Sequence, residues 1–363
     1  MAVSPVPDLI YEDQQETRVS DIARLLDRPE SVSADDALHR ITVFVTYACN
    51  LACPYCKTIT RSAAELDALP HKRAVYSLET LGRLLDPHTG TPIRHLHFTG
   101  GEATLLRDLP AMIREARRRG VERISLTSNG TASPDRYLAL ADAGLDELRI
   151  SLDADDARLG RQLTLRSSAF AATVRALEAL GRTSPRRFHL IVNTVVGLAN
   201  RERLPALLRF VLAFGVDDVK LITEVDARGT LGEFPEAGRV RAEIAELLAA
   251  APEGSYPLLR RKLATVFAAD AIGLEDVAPV PDWRCYIPLT ERTVDGVFYY
   301  PCSVYLRESG DPLGRIDEPQ EEQRAKSAAF VRNGDCLRDP ICRRFCLACT
   351  KAYNLRSNAR RLA

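Results

Sequence analysis

The sequence predicts an α/β fold: a partial (β/α)6 TIM-like barrel followed by a cysteine-rich domain. Three observations carry this expectation. From residue 41 onward, β-branched and apolar segments alternate with segments of helical periodicity, and six such pairs follow one another. Six consecutive βα units imply a parallel sheet with right-handed crossovers, curling toward a barrel that eight units would close. The nine cysteines are unevenly placed: three lie between residues 49 and 56, none between 57 and 284, and six between 285 and 349.

Residues 1–40 read as an N-terminal extension with one short helix near 19–26. Residues 41–46 form the first strand and run into the first cysteines. Ser77 suits the N-cap of a helix reaching Leu85. A strand at 93–98 and a helix at about 106–119 follow, then a strand at 123–127. Ser133-Pro134 opens the next helix, a capping residue before proline at the first helical position. Strands at 148–152, 189–196 and 219–225 alternate with helices at 168–180, 201–214 and 240–250. Residues 278–282 (Ala-Pro-Val-Pro-Asp) read as a linker. It divides a barrel at 41–277 from a loop-rich domain at 278–363, with a hairpin around Asp295-Gly296.

Lysine plus arginine and aspartate plus glutamate both number 49, so formal charge is zero. A nucleic-acid or anionic-membrane partner would reward a basic excess, so neither is expected. No apolar run approaches the roughly 18 residues of a membrane span. The first residues carry no export signal, and the expected location is the cytoplasm. In that reducing compartment, clustered cysteines read as metal ligands and not as disulfides.

Cys49, Cys53 and Cys56 have C-x3-C-x2-C spacing. Three thiolates on so short a loop can hold three irons of a cubane cluster and leave the fourth without a protein ligand. An open metal position is where a reactant binds. The loop follows the first strand, at the sheet edge where barrel enzymes place their chemistry. Zinc is the competing reading, but its loops favour C-x2-C pairs with a fourth ligand close by, and none is near in sequence.

This loop, with Tyr55 before its third cysteine, resembles the signature of the radical S-adenosylmethionine (radical SAM) superfamily. The resemblance extends over residues 41 to about 226. It implies a [4Fe–4S] cluster on the three cysteines with SAM on the open iron. Reductive cleavage of SAM then yields a 5′-deoxyadenosyl radical that abstracts hydrogen from a substrate. It also implies SAM contacts at Tyr55, at Gly100, Gly101 and Glu102, at Ser151, and at Ile222 or Thr223 beside the adenine. Asn193-Thr194 and Thr223-Glu224, at strand carboxyl ends expected to face the cavity, are candidate substrate contacts. Asp153 either joins this site or caps the following turn. Thr127-Ser-Asn-Gly-Thr131 resembles the strand-three ending common in the family, although Asn129-Gly130 also reads as a turn; His95 and His97 read as packing histidines.

Cys285-x10-Gly296-x5-Cys302, then Cys336-x5-Cys342-x3-Cys346 and Cys349, resemble the SPASM/Twitch domain that carries auxiliary iron–sulfur clusters. In the family arrangement Cys285, Cys302 and Cys346 hold one cluster, and Cys336, Cys342 and Cys349 a second. Two fully ligated cubanes need eight ligands, and Asn333 stands where one more cysteine is expected. One auxiliary cluster or two are both open, with a zinc knuckle as the competing reading.

These resemblances imply a radical SAM oxidoreductase or epimerase, supplied with electrons by a reductant such as flavodoxin or ferredoxin. The barrel carries no thiol between 57 and 284 to return a hydrogen atom, which tilts the outcome toward oxidation or dehydrogenation, or toward a hydrogen donor drawn from the carboxyl-terminal cysteines. Large peptide maturases carry a leader-binding domain before the barrel, and 40 residues are too few for one. The expected substrate is therefore a small polar natural product of sugar, aminocyclitol or nucleoside type. Three alternatives remain in the sequence: a peptide maturase (RiPP-type) using a separate leader-binding partner, an iron–sulfur scaffold or carrier, and a zinc-dependent hydrolase.

Overall fold

Alternation along the strands decides how this chain folds. In Arg40–Phe44 (β1), His95–Thr99 (β2), Arg123–Ser128 (β3), Glu147–Ser151 (β4), His189–Val196 (β5) and Asp218–Thr223 (β6), alternate residues are mostly aliphatic or aromatic, with Ser128, Thr194 and Thr223 as the exceptions. Phe98, Leu126, Leu148 and Leu190 stand in register across four strands and are fully buried on the outward face. The opposite face carries Thr42, His97, Ser125, Glu147 and other polar residues. A strand that alternates in this way can bury only one face in oil, and that face is the one the helices cover. The computed structural model describes residues 40–56, 76–88, 93–224, 234–263, 266, 273, 274, 277, 283–346 and 354.

The helices of this half are Leu78–Leu85 (α1), Leu109–Arg118 (α2), Pro134–Asp142 (α3), Ala157–Thr164 (α4), Ala169–Gly181 (α5), Leu204–Leu212 (α6), Ala237–Ala249 (α7) and Pro257–Leu263 (α8); α4 and α8 border the cavity on the polar side. Leu81, Leu84, Met112, Ile113, Tyr137 and Leu177 pack with the outward strand residues in one core. The caps act as expected: the Ser77 hydroxyl accepts from Thr80 N–H, and Ser133 from Arg136 N–H. Short α4 and α8 escape sequence reading because two turns hold too few positions to show a period. Strands β1 to β6 run parallel in the order β6-β5-β4-β3-β2-β1, an open sheet consistent with a partial barrel.

Residues 283–346 hold more regular structure than the loop-rich expectation. Glu291–Asp295 (β7) lies parallel to β1, and Phe298–Tyr300 (β8) folds back on it antiparallel through Gly296, the hairpin the sequence indicates. Gly296 adopts a φ of 57°, which a glycine reaches without steric cost. Gly314–Arg315 (β9) completes a nine-stranded sheet among the described residues. Ser303–Arg307 (α9), Gln320–Asn333 (α10) and Pro340–Phe345 (α11) follow in turn with it. The 14-residue α10 lacks an apolar stripe because its inward positions include Gln323, Arg324 and Ser327. Gln323 is buried because its amide donates to the Ile316 and Glu318 carbonyls and its oxygen accepts from Arg292. The N-terminal extension, the 278–282 linker and Cys349 lie outside the described residues. No helix among the described residues is long and apolar enough to cross a membrane.

His95 Nε2 and His97 Nδ1 both lie 2.6 Å from the Ser125 hydroxyl, and both rings are buried, as packing histidines should be. Burial pushes their pKa well below the usual 6.5 and takes buried His88 to about 3. Each folded value lies beneath its unfolded one. Between the two, the unfolded chain takes up protons that the folded chain refuses. Stability is therefore complete above pH ~6.5 and declines as pH falls. Denaturant midpoints at pH 7, 5.5 and 4 should drop in that order, and His88→Gln should shallow the decline. A midpoint flat down to pH 4 would contradict this account.

Candidate active site

The cysteines sit on the loop that leaves β1, and neighbouring loops hold it from several sides. Gly101 N–H donates to Thr46 O at 2.6 Å, Glu102 N–H to Ala48 O at 2.8 Å, and Ala52 N–H to Thr164 O at 3.1 Å. The Asn50 amide donates to Thr131 Oγ1 at 2.8 Å, and Arg166 Nε to Asn50 O at 3.1 Å. Tyr47 hydroxyl donates to Asp295 at 2.8 Å, which ties the β7–β8 hairpin to the loop. Gly100 and Gly101 are required by this contact. A Cβ at Gly100 would stand 2.3 Å from Thr46 O, and one at Gly101 2.2 Å from Ala48 O.

A cavity of about 680 Å³ opens at the carboxyl ends of the strands. Cys49, Cys53, Cys56, Tyr55, Gly100 and Gly101 line one part of it. Ser151, Asn193, Ile222, Thr223 and Glu224 line another. Ser151, Asn193 and Lys220 stand in register across β4, β5 and β6, so they form one layer of the wall. Asn193 is 7% exposed, and its Oδ1 has no hydrogen-bond partner. Such a buried acceptor costs free energy unless a ligand donor meets it. Thr194 does not face the cavity; its hydroxyl donates to Leu152 O at 2.9 Å.

Glu102 departs from the expected pattern. Its side chain is fully buried and does not line the cavity. Oε1 accepts from Thr104 N–H, Thr104 hydroxyl and Ser128 hydroxyl, and Oε2 accepts from Asn129 N–H at 2.7 Å. The carboxylate thus joins the loops after β2 and β3 and serves the framework. Asp153 likewise does more than cap a turn. It accepts from Tyr55 hydroxyl and from Val195 N–H at 2.7 Å, fastening the cysteine loop to β5. Burial raises its pKa to about 6.

One cavity residue escaped the sequence reading, and another lies in a motif that reads first as a turn. Asn129 donates through Nδ2 to Asn50 Oδ1 at 2.8 Å and to Cys49 Sγ at 3.8 Å. Its turn-like Asn-Gly context hid this contact, and the positive φ of Gly130, 79°, shows that the turn is also real. Arg307, on α9, lines the cavity together with Cys56 and Cys302, with its guanidinium 5.5 Å from the Phe44 ring. Only its place five residues after Cys302 hinted at it.

Cys285, Cys302, Cys342 and Cys346 line the same cavity as the first cysteine loop. Cys336 is buried and packs in one cluster with Cys285, Cys342 and Cys346. Asn354 donates to Cys285 Sγ at 3.3 Å, and Tyr305 N–H to Cys302 Sγ at 3.4 Å. The family pairing would separate Cys285 from Cys336 and Cys342, whereas here the three are packed against one another.

The donors fit an iron–sulfur cluster on Cys49, Cys53 and Cys56: soft thiols only, on one fixed loop, facing one cavity. Burial pushes Cys53 up to about 12 and raises Cys49 as well. Thiols this weakly acidic become ligands only when metal displaces their protons. Among the described residues no three His, Cys, Asp or Glu side chains converge tightly enough for a single ion.

Gly101→Val should force the loop backbone away at Ala48. It is expected to lower iron and sulfide per chain after anaerobic reconstitution, and to cost about 1–3 kcal/mol of stability. Iron content equal to the parent would show that the tight approach is dispensable. Tyr55→Phe leaves the buried Asp153 carboxylate short of one donor and should loosen the loop by about 1–3 kcal/mol, read as a lower denaturant midpoint.

Residues 43–211 match the family model described as the radical SAM superfamily. The probable GTP 3′,8-cyclase of Methanopyrus kandleri is 32% identical over 57% of this chain and 69% of its own length. The PqqA peptide cyclase of Rhodopseudomonas palustris is 31% identical over 49% of this chain and 44% of its own. The chain spans about half the length of several such relatives. The crystal structure of Streptococcus suis SuiB bound to S-adenosylmethionine shares the fold, with a TM-score of 0.59 at 13% identity over 85% of this chain and 72% of that one. With the thiol loop, the parallel sheet and these matches in agreement, the chain belongs to the radical SAM superfamily, a family that implies a [4Fe–4S] cluster and SAM.

Proposed function

We propose that this radical SAM enzyme oxidises a small polar substrate of sugar, aminocyclitol or nucleoside type, with one auxiliary iron–sulfur cluster among its carboxyl-terminal cysteines. One observation carries the reading: a single cavity of about 680 Å³ touches both cysteine groups. That volume falls within the ~300–1,000 Å³ of sites for drug-sized ligands. It has room for a nucleoside-sized cofactor and a small partner. The close packing of Cys285, Cys336 and Cys342, with Cys302 and Cys346 facing the same cavity, supports one auxiliary cluster over two.

Cys49, Cys53 and Cys56 would hold the catalytic cluster, and SAM bound there supplies, on one-electron reduction, a carbon radical able to remove a hydrogen atom from substrate. The chain's own residues then place the reactants. The loop-to-loop contact at Gly100 and Gly101 sets the backbone beside the thiols. Ser151 offers a hydroxyl and Asn193 an unpartnered acceptor in the same layer of the wall. Thr223 and Ile222 form the wall on β6, and Glu224 faces the cavity just beyond the end of that strand. The oxidation arm is preferred to epimerisation because the barrel, residues 57–284, carries no thiol to return a hydrogen atom; a carboxyl-terminal cysteine on the same cavity left free of iron would favour epimerisation instead. A second reading, a peptide maturase with a separate leader-binding partner, draws support from the PqqA peptide cyclase relative.

Anaerobically reconstituted protein with dithionite and SAM should release 5′-deoxyadenosine. Cys49→Ala, Cys53→Ala or Cys56→Ala should each reduce this by at least the ~10–100-fold that loss of even an outer ligand partner costs. Cys342→Ala should keep uncoupled SAM cleavage while lowering iron content. Protein prepared without oxygen that contains no inorganic sulfide would overturn the assignment. Hydrogen-to-deuterium transfer into 5′-deoxyadenosine from labelled candidate sugars or peptides separates the two substrate readings.

A further inference from the structure

We propose that the outer face of α4 is the docking surface for a small acidic electron-transfer protein that reduces the cluster on the cysteine loop. The inference rests on the radical SAM reading and adds a place and a partner to it. α4 has two unlike faces. Gly160, Leu163 and Thr164 border the cavity. Arg158, Arg161, Gln162 and Leu165 line a depression of about 560 Å³ on the opposite, exposed side.

Three features of that outer face point to a partner. First, its charge is uncompensated. Among the described residues no carboxylate pairs with Arg158 or Arg161. The adjacent Asp155 and Asp156 are taken up by Arg203, at 2.8 and 2.7 Å. In a chain of zero net charge, two open guanidiniums on one short helix make a local positive field. Second, Leu165 projects at its centre, 62% exposed and in left-handed conformation with φ of 53°. That conformation ends α4, with Leu165 N–H donating to Arg161 O at 2.9 Å, and it leaves the side chain out in solvent. An apolar centre rimmed by cations suits a brief encounter with an acidic protein.

Third, the face lies directly behind the cysteines. Thr164 O accepts from Ala52 N–H, and Arg166, the residue after Leu165, donates to Asn50 O. Asn50 and Ala52 lie between Cys49 and Cys53. A docked carrier would therefore stand about one helix diameter, ~10–12 Å, from the cysteine loop. The transfer is of one electron: the reduced flavin or iron–sulfur centre of the carrier is oxidised, the cluster is reduced, and no atom moves. Charges of this kind act over a Debye length of ~10 Å at 0.1 M salt, so the encounter should weaken as salt rises.

The test uses full-length reconstituted protein, its variant Arg158→Glu/Arg161→Glu, and flavodoxin as the carrier. The dissociation constant for oxidised flavodoxin, measured by calorimetry, should rise about tenfold or more, as should the flavodoxin KM for 5′-deoxyadenosine formation. Dithionite-driven SAM cleavage and the melting temperature should stay unchanged. Arg158→Gln/Arg161→Gln should shift both constants in the same direction by less. Flavodoxin affinity and KM equal to the parent in the charge-reversed variant would overturn the docking surface. Failure of dithionite to drive cleavage in the parent would instead strike the radical SAM reading itself.

Discussion

The contact between two stretches of bare backbone organises this molecule. The loop leaving β1 and the glycine pair leaving β2 approach until only hydrogen atoms on Gly100 and Gly101 fit between the chains. From that contact the cysteine loop takes its position relative to the sheet. Glu102, next in sequence, then reaches under the loops after β2 and β3 and binds them through four donors. The glycines therefore serve geometry before they serve any ligand. Their backbone can face the cavity because it is already held from behind.

A second constraint is the division of the sheet into an oily exterior and a polar interior. Closed barrels fill their centres with branched aliphatic layers. Here Thr42, His97, Arg149, Ser151 and Asn193 face inward. The buried Glu147 carboxylate pairs with both Arg123 and Arg149, whose charges hold its pKa low against the opposing effect of burial. Removing one member of such a buried network strands the others, so the interior is costly to alter and specific in shape. An open sheet with a polar lining leaves space where a closed barrel would leave none.

The carboxyl-terminal segment is joined to this interior through β7, which pairs with β1, and through Tyr47 and Asp295. That pairing brings Cys302 and Arg307 toward Cys56 across some 250 residues of chain. Under the proposed reading electrons would enter from the outer side of α4, while both cysteine groups border the one cavity that would hold the reactants.

By itself the sequence determined the β1-to-β6 order, the caps at Ser77 and Ser133, the hairpin at Gly296 and the thiol loop at 49–56. All of these rest on neighbours a few residues apart, where spacing and torsional preference act directly. It did not disclose α10, whose inward face is polar, nor the framework role of Glu102, nor the contact of Asn129 with Cys49. Tertiary structure alone decided that Cys285, Cys336 and Cys342 pack together and that Cys302 faces the same cavity as Cys56. Such contacts join positions separated by up to hundreds of residues, and they are selected by strand pairing and burial, which leave no fixed interval in the chain for a reader to find.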